Sequence, residues 1–499
     1  MAFRIWLAML CLLTAGQAVG REVATDRQHN RLAAGRYYAR LLAAQTPRLA
    51  ELTLFTNMLP KGGDLHHHYS GAIYAETYLD WVAAQNYCIY RHSDAALKIE
   101  KYRIETRPQA LGDAARSLCV SAEAAHQDNH FYRELLQRWS DKDYGNHFHE
   151  QRPPDQQFFD TFGYFGDIST VDYRQGLREL KARAQAENVG YLETMLKGGP
   201  SVDKPELATL LNGLGRAASE QQLGEALTRG FELLAGDADT AARLDAYLKM
   251  LEDAAGGIDD PGFKLRFQSY VSRNSSPAKV FSSLYTSFAA ASRSPLIVGI
   301  NIVGPENGYV AMRDYSLHMK MFAFLKQRFP GMKLAMHAGE LTLGMVPPEG
   351  LRSHIREAVL VAGANRIGHG VDIAHETDAP GLLEIMRQRK TVVEIALTSN
   401  AFILGVKNEA HPLSLYMSHK VPFVIATDDA GVSRNNLSHE YLLYTSRYRP
   451  SYTQLKQTVY NSIRYSFLPD VEKQDELHKL DKRFAEFEAR VARLPLPGG

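Results

Sequence analysis

An alternation constrains the fold of this chain more than any other feature. Eight short apolar runs, most of them rich in β-branched or aromatic residues, lie at 62–68, 189–196, 264–271, 296–303, 333–337, 366–370, 391–397 and 422–427. Segments of helical length and pattern separate most of them, among them 314–328, 350–362, 379–388 and 412–419. Strands that alternate with helices pair parallel to one another. Eight such units predict an α/β fold, a (β/α)8 TIM barrel, whose functional side chains gather at the C-terminal ends of the strands.

Polar residues punctuate those ends. His66 and His68 close the first run in Leu65-His-His-His-Tyr69, His337 and Glu340 follow the fifth, His369 follows the sixth, and Asp428-Asp429 follow the eighth. Residues two apart on a strand share a face, so His66 and His68 project together while His67 points away. Each residue alone has a plainer explanation. A lone histidine at a strand end is more often a hydrogen-bonded structural group, an Asp pair before Ala-Gly can cap a turn, and Glu340 can be a first-turn acid favoured by a helix dipole. Together, at the ends of four separate strands, they predict a hydrolytic metal site. His66, His68, His337 and Asp428 offer three nitrogens and an oxygen, a donor set suited to one Zn2+ per subunit, with iron, cobalt or manganese compatible by ligand type. Glu340 is then placed to donate a proton, His369 to orient or deprotonate a water or to stabilise an addition state, and Asp429 to accept a hydrogen bond. Glu193 and Trp139 are further candidates for the pocket wall.

The 57 basic and 56 acidic residues nearly cancel, which speaks against a nucleic-acid groove or a polybasic membrane surface. Residues 1–20 carry Arg4, a short apolar core and small residues up to Gly20, the pattern of a secretory signal, with an anchoring helix disfavoured by length. The expected destination is periplasmic or extracellular, with no membrane contact after cleavage. Cys88 and Cys119 then remain. In an exported chain they fit one disulfide, with two buried thiols as the alternative. Residues 21–57 read as a helical extension with apolar positions Leu32, Tyr37, Leu41 and Leu42, suited to a cap or an oligomer contact. The barrel is expected over 58–445, with an insertion at about 84–130 stapled by the cysteines, a loop-like stretch at 141–154, a helical elaboration around 198–260 and a C-terminal helical region at 446–499 outside the barrel.

These motifs resemble the adenosine deaminase family. Met58-Leu-Pro-Lys-Gly-Gly-Asp-Leu-His-His-His68 resembles its Met-Pro-Lys…Leu-His-x-His opening, and Val298-Gly-Ile-Asn-Ile-Val-Gly-Pro-Glu306 its glycine-bearing strand. His337-Ala-Gly-Glu340, Arg366-Ile-Gly-His-Gly370, Thr398-Ser-Asn400 and Thr427-Asp-Asp429 complete the series in order. The resemblance implies zinc held by His66, His68, His337 and Asp428, N1 protonation by Glu340, assistance to the hydroxide by His369, and contacts to the nucleoside from His68, Ser70, Gly304 and Asp429. The implied reaction is hydrolysis of adenosine, and of 2′-deoxyadenosine, to the inosine product and ammonia. The leader, extension and cysteine-bearing insertion resemble the secreted, growth-factor-related branch, which implies a homodimer. Intracellular members carry an Asp two residues after the second histidine, where this chain has Ser70, so the sugar contact here is uncharged. The competing expectations are a deaminase of adenine or another modified adenine nucleoside on the same barrel, and an exported nucleoside-binding or signalling protein without turnover.

Overall fold

A computed structural model describes residues 25–144, 152–214 and 218–497. The expected leader at 1–20 lies outside the described residues, as does the middle of the 141–154 stretch.

Eight parallel strands form the frame. β1 (Gly62–His68), β2 (Val189–Met195), β3 (Lys264–Ser272) and β4 (Ile297–Val303) pair in that order, as do β5 (Ala335–Ala338), β6 (Arg366–His369), β7 (Val392–Ile395) and β8 (Phe423–Ile425). Single bridges at Ile300–Leu334 and His67–Asp428 join the two halves into a ring. The chain is thus a TIM barrel. Its strands are apolar on both faces because helices cover the outside and side chains fill the inside; Ile367, Val393, Ile395, Val424 and Ile425 are all fully buried. The strands end within two residues of the bounds read from sequence. The fifth starts at Ala335 and not at 333, because Leu334 makes only the one bridge to Ile300.

Other expectations need correction. The extension is not one helix: it runs over 25–42 and resumes at Leu49–Met58. Pro47 interrupts it, since proline lacks the N–H of a helical turn and disfavours the α conformation of the residue before it. Tyr37 and Leu41 are buried but Leu32 is 56% exposed. The buried face packs on the C-terminal helices Tyr452–Arg464 and Asp470–Val491, with the Phe55 ring 5.2 Å from that of Phe487. The predicted helix at 350–362 is three pieces, a 3-10 turn Pro348–Leu351, an α-turn His354–Glu357 and a π-turn Ala358–Ala362.

After β1 the chain builds a small antiparallel sheet, with Cys88–Tyr90 central between Ile104–Glu105 and Cys119–Ser121. The structure bonds Cys88 to Cys119 across neighbouring strands, with 5.5 Å between their Cα atoms. The unit extends beyond 130, because helix Asn129–Arg138 carries Phe131 and Leu135 into the same apolar cluster as Ile89 and Ile104. Helix Pro154–Ser169 then crosses the barrel mouth. The C-terminal region lies outside the ring, but its Tyr465–Phe467 segment reaches the barrel floor, where Phe467 N–H donates to Glu193.

Candidate metal centre and active site

The junction of the first and last strands assembles the site. Asp428 N–H donates to His66 O, and His68 N–H donates to Asp428 O, so the ends of β1 and β8 are in register. His66 and His68 do share a face, with ring centroids 5.4 Å apart. His67 turns the other way and meets Thr194 Oγ1 through Nδ1 at 2.9 Å. His66 Nε2 and His68 Nε2 lie 3.3 and 3.2 Å from Asp428 Oδ1, and His68 Nε2 lies 3.1 Å from His337 Nε2. His369 is drawn into the same cluster: one ligand atom each from His66, His337, His369 and Asp428 lies within 4.8 Å of the others, and His68, Asp428 and Asp429 form a second such group.

Hydrogen bonds decide what these groups present. Glu394 Oε2 accepts from His66 Nδ1 at 2.7 Å, which leaves a lone pair on the buried and otherwise unpartnered His66 Nε2. Asn301 Oδ1 already accepts the backbone N–H groups of Ile302 and His337, and it accepts His337 Nδ1 at 2.9 Å, so His337 Nε2 also carries a lone pair. Ser399 Oγ donates to Asp428 Oδ2 at 2.7 Å and leaves Oδ1 to the cluster. Burial opposes charge on His66, yet with no cation bound the Asp428 and Glu394 carboxylates outweigh it and favour the charged form, so a proton and a cation compete for the lone pair on Nε2. Converging lone pairs and a carboxylate oxygen attract positive charge, and these residues fit a divalent cation.

Around the cluster, burial sets the protonation states. Burial, with the charges of Asp428 and Glu306, raises the Glu340 carboxyl well above its ordinary range and favours its protonated form. Asp429 rises for the same first reason, followed by the charge of Asp428 beside it. Burial lowers His369 to about 3 and keeps it neutral, and lowers His68 and His337. His369 Nε2 stands 3.6 Å from Glu340 Oε1. Both His369 (φ 67°) and Asp428 (φ 62°) adopt the left-handed backbone region, which costs a non-glycine residue about 1–3 kcal/mol and concentrates at functional sites. Two glycines make room: a Cβ on Gly368 would stand 2.6 Å from the His66 ring, and one on Gly71 would overlap the Asp429 carboxylate.

A cavity of about 180 Å3 opens onto these groups. Ser70, Gly304, Glu340, His369 and Asp429 line it together with the metal cluster, and Phe158, Phe159 and Phe162 from the mouth-crossing helix form an apolar side. Trp139 and Glu193 do not reach it. The Trp139 indole is buried in the insertion and donates to Tyr102 O, and Glu193 lies below, paired with Arg366.

The sequence reading missed the residues that hold this arrangement. Glu306 accepts the backbone N–H groups of Gly339 and Glu340 and bonds His354 Nδ1 at 2.6 Å, while Arg273 pairs with it and donates to His337 O. Glu394, Arg366 and Asn301 act from below. The one available signal was a charged or amide side chain inside an otherwise apolar strand, as in Val392-Val-Glu-Ile395, since a buried charge requires a partner.

A (β/α)8 barrel with imidazoles and a carboxylate converging at its mouth, beside a buried glutamate, has the residues of a metal-site barrel. The family model described as adenosine deaminase matches residues 240–483. Adenosine deaminase of Vibrio cholerae is 32% identical over 192 residues, 38% of this chain and 52% of that protein; that of Shewanella denitrificans is 28% identical over 224 residues, 44% and 61%. The matched part of the chain therefore spans little more than half the length of these curated relatives. Among solved structures, adenine deaminase of Arthrobacter aurescens superposes with a TM-score of 0.52 at 17% identity, covering 85% of this chain and 98% of that one. The N6-methyl-AMP deaminase of Arabidopsis thaliana gives 0.54 at 18%, covering 86% and 98%. At such identities the structural likeness establishes the fold. Over residues 240–483, just under half of its length, the chain is similar to the adenosine deaminase family.

Proposed function

We propose that this chain hydrolyses the 6-amino group of adenosine, and of 2′-deoxyadenosine, to give the 6-oxo nucleoside and ammonia, with one water consumed. The observation that carries the reading is Glu340, a buried carboxyl that shares one cavity with His68, His337 and Asp428, with the His66 ring 4.4 Å from that of His337. A divalent cation on those four residues, zinc by the character of the donors, would acidify a water molecule and so supply a nucleophile near neutral pH. Glu340 delivers its proton to ring N1, which draws electron density from C6 and opens it to attack. Asp429, whose Oδ1 has no partner, accepts a hydrogen bond from the base. Ser70 reaches the sugar as a neutral partner, and Gly304, with φ 98°, lets the backbone come close to the ligand. No Lys or Arg is among the described residues lining the cavity, so a nucleoside is favoured over a nucleotide, whose phosphate would find no cation.

The test is ammonia release from adenosine, deoxyadenosine, adenine and AMP by purified protein, with and without chelator. Adenosine and deoxyadenosine should turn over, the chelator should stop them, and a divalent ion should restore them. Release from adenine alone would move the substrate to the base, and no release from any metal-loaded sample would leave only a nucleoside-binding role. Export remains part of the proposal, supported by the Cys88–Cys119 pair, because structural disulfides persist in oxidising compartments. Denatured, unreduced mature protein should then contain no free thiol, and finding two would overturn it.

A further inference from the structure

His369 is the site residue whose role the chemistry leaves open, because a neutral imidazole can accept a proton through a bare nitrogen or donate through an N–H, but not both through the same atom. A buried chain of hydrogen bonds decides between them. It starts at a backbone N–H, which can only donate: Leu413 N–H donates to His411 Nδ1 at 3.1 Å. His411 Nδ1 therefore holds a lone pair, and in the neutral ring the hydrogen is on Nε2. Burial first, then the Arg447 charge, lower the His411 pKa to about 4 and keep that ring neutral. His411 Nε2 faces Asn400 Oδ1 at 3.1 Å, so the oxygen side of the amide accepts and the NH2 side points onward. Asn400 Nδ2 lies 2.9 Å from His369 Nδ1, which must then accept. All three side chains are at most 1% exposed, so no solvent can intervene to reverse the direction.

We propose that His411 and Asn400 are positioning residues that fix His369 in the tautomer with its hydrogen on Nε2, so that His369 presents a donor to the cavity. The inference rests on the deamination reading for its consequence but not for its geometry. An N–H at that position holds and stabilises an oxygen beside C6 and does not remove a proton from it. It also sorts the cluster: a nitrogen that carries hydrogen cannot ligate, so His68 and not His369 completes the set with His66, His337 and Asp428.

The direct test is 15N spectroscopy of histidine-labelled, zinc-loaded protein, with His369 assigned by its absence from His369→Gln. A protonated Nε2 and a bare Nδ1 on His369 are expected, and the opposite pattern overturns the proposal whatever the substrate proves to be. The second arm is Asn400→Asp. A carboxylate there can only accept, so it turns His369 over and exposes a bare Nε2. If His369 acts as a donor, kcat for adenosine should fall on the order of ten-thousandfold, the scale of a wrong-tautomer histidine, with metal content and KM close to the parent. Equal or higher kcat in Asn400→Asp, with the flipped tautomer verified, would show that His369 works as a base and refute the role. Among His411 variants, His411→Gln, which retains a donor, should recover more of kcat than His411→Leu; equal losses would remove His411 from the chain. If no aminopurine is deaminated by any form, the functional reading fails while the spectroscopic result still stands or falls by itself.

Discussion

The floor and the mouth of the barrel are both lined with buried charges, but only the floor satisfies its own. Arg366 Nε donates to Glu394 Oε1 at 2.5 Å, its Nη1 donates to Tyr465 O, its Nη2 pairs with Glu193, and its guanidinium lies 3.7 Å over the Phe467 ring. Glu193 also accepts from Tyr191 Oη and from Phe467 N–H. At the mouth, His66 Nε2 and Asp429 Oδ1 have no hydrogen bond, two imidazole nitrogens face each other at 3.1 Å, and two residues hold left-handed backbone. Glu394 belongs to both, with one oxygen on Arg366 below and the other on His66 above. Charge burial by itself therefore does not mark a functional site. Here it is the convergence of imidazoles and carboxylates on one cavity that does.

The largest effect that tests this contrast is chemical. Glu340→Gln should lower kcat by about 10^2- to 10^4-fold, the usual span for a general acid, and leave thermal stability unchanged or slightly higher, since it replaces a buried acid with a neutral amide of the same shape. Steady-state kinetics beside a melting curve decide it, and parental kcat would make the mouth no more chemical than the floor. Arg366→Met should do the reverse. It leaves Glu193 and Glu394 as buried, unpaired charges and should cost about 3–5 kcal/mol of stability, read from denaturant unfolding; no loss would mean that the floor is not held by its ion pairs.

Glu306 sharpens the comparison because it joins the mouth to Arg273 and His354. Burial opposes its charge, but Arg273 and then His354 outweigh that and lower its pKa from 4.5 to about 2. A carboxyl with a depressed folded pKa contributes stability above its unfolded value and loses it as pH falls through the folded one. Glu306→Gln should therefore be less stable than the parent by up to about 3 kcal/mol above pH 5, with the gap closing as pH drops toward 2. A gap independent of pH would show that the glutamate acts through shape alone. Smallest of all, Ser70→Ala removes one neutral hydrogen bond, about 0.5–1.5 kcal/mol, and should raise KM for adenosine a few-fold while leaving adenine unaffected.

Much of this was legible in the chain. The eight runs gave the barrel because strands buried on both faces are mostly apolar, and His66 and His68 could be placed on one face by the two-residue period of a strand. His337, Glu340, His369 and Asp428 were readable as interruptions at strand ends. Glu306, Arg273, Asn400 and His411 were not, since a polar residue in a loop or a short helix gives no sign of which distant group it will meet.

By itself the sequence determined which atoms this protein brings to the mouth, since strand period and strand order are local properties of the chain. Only the tertiary structure decided their states: the lone pairs on His66 and His337, the proton on Glu340 and the direction of the Leu413–His411–Asn400–His369 chain. Protonation and tautomer depend on burial and on partners supplied by other strands and loops, and those meet only when the barrel closes.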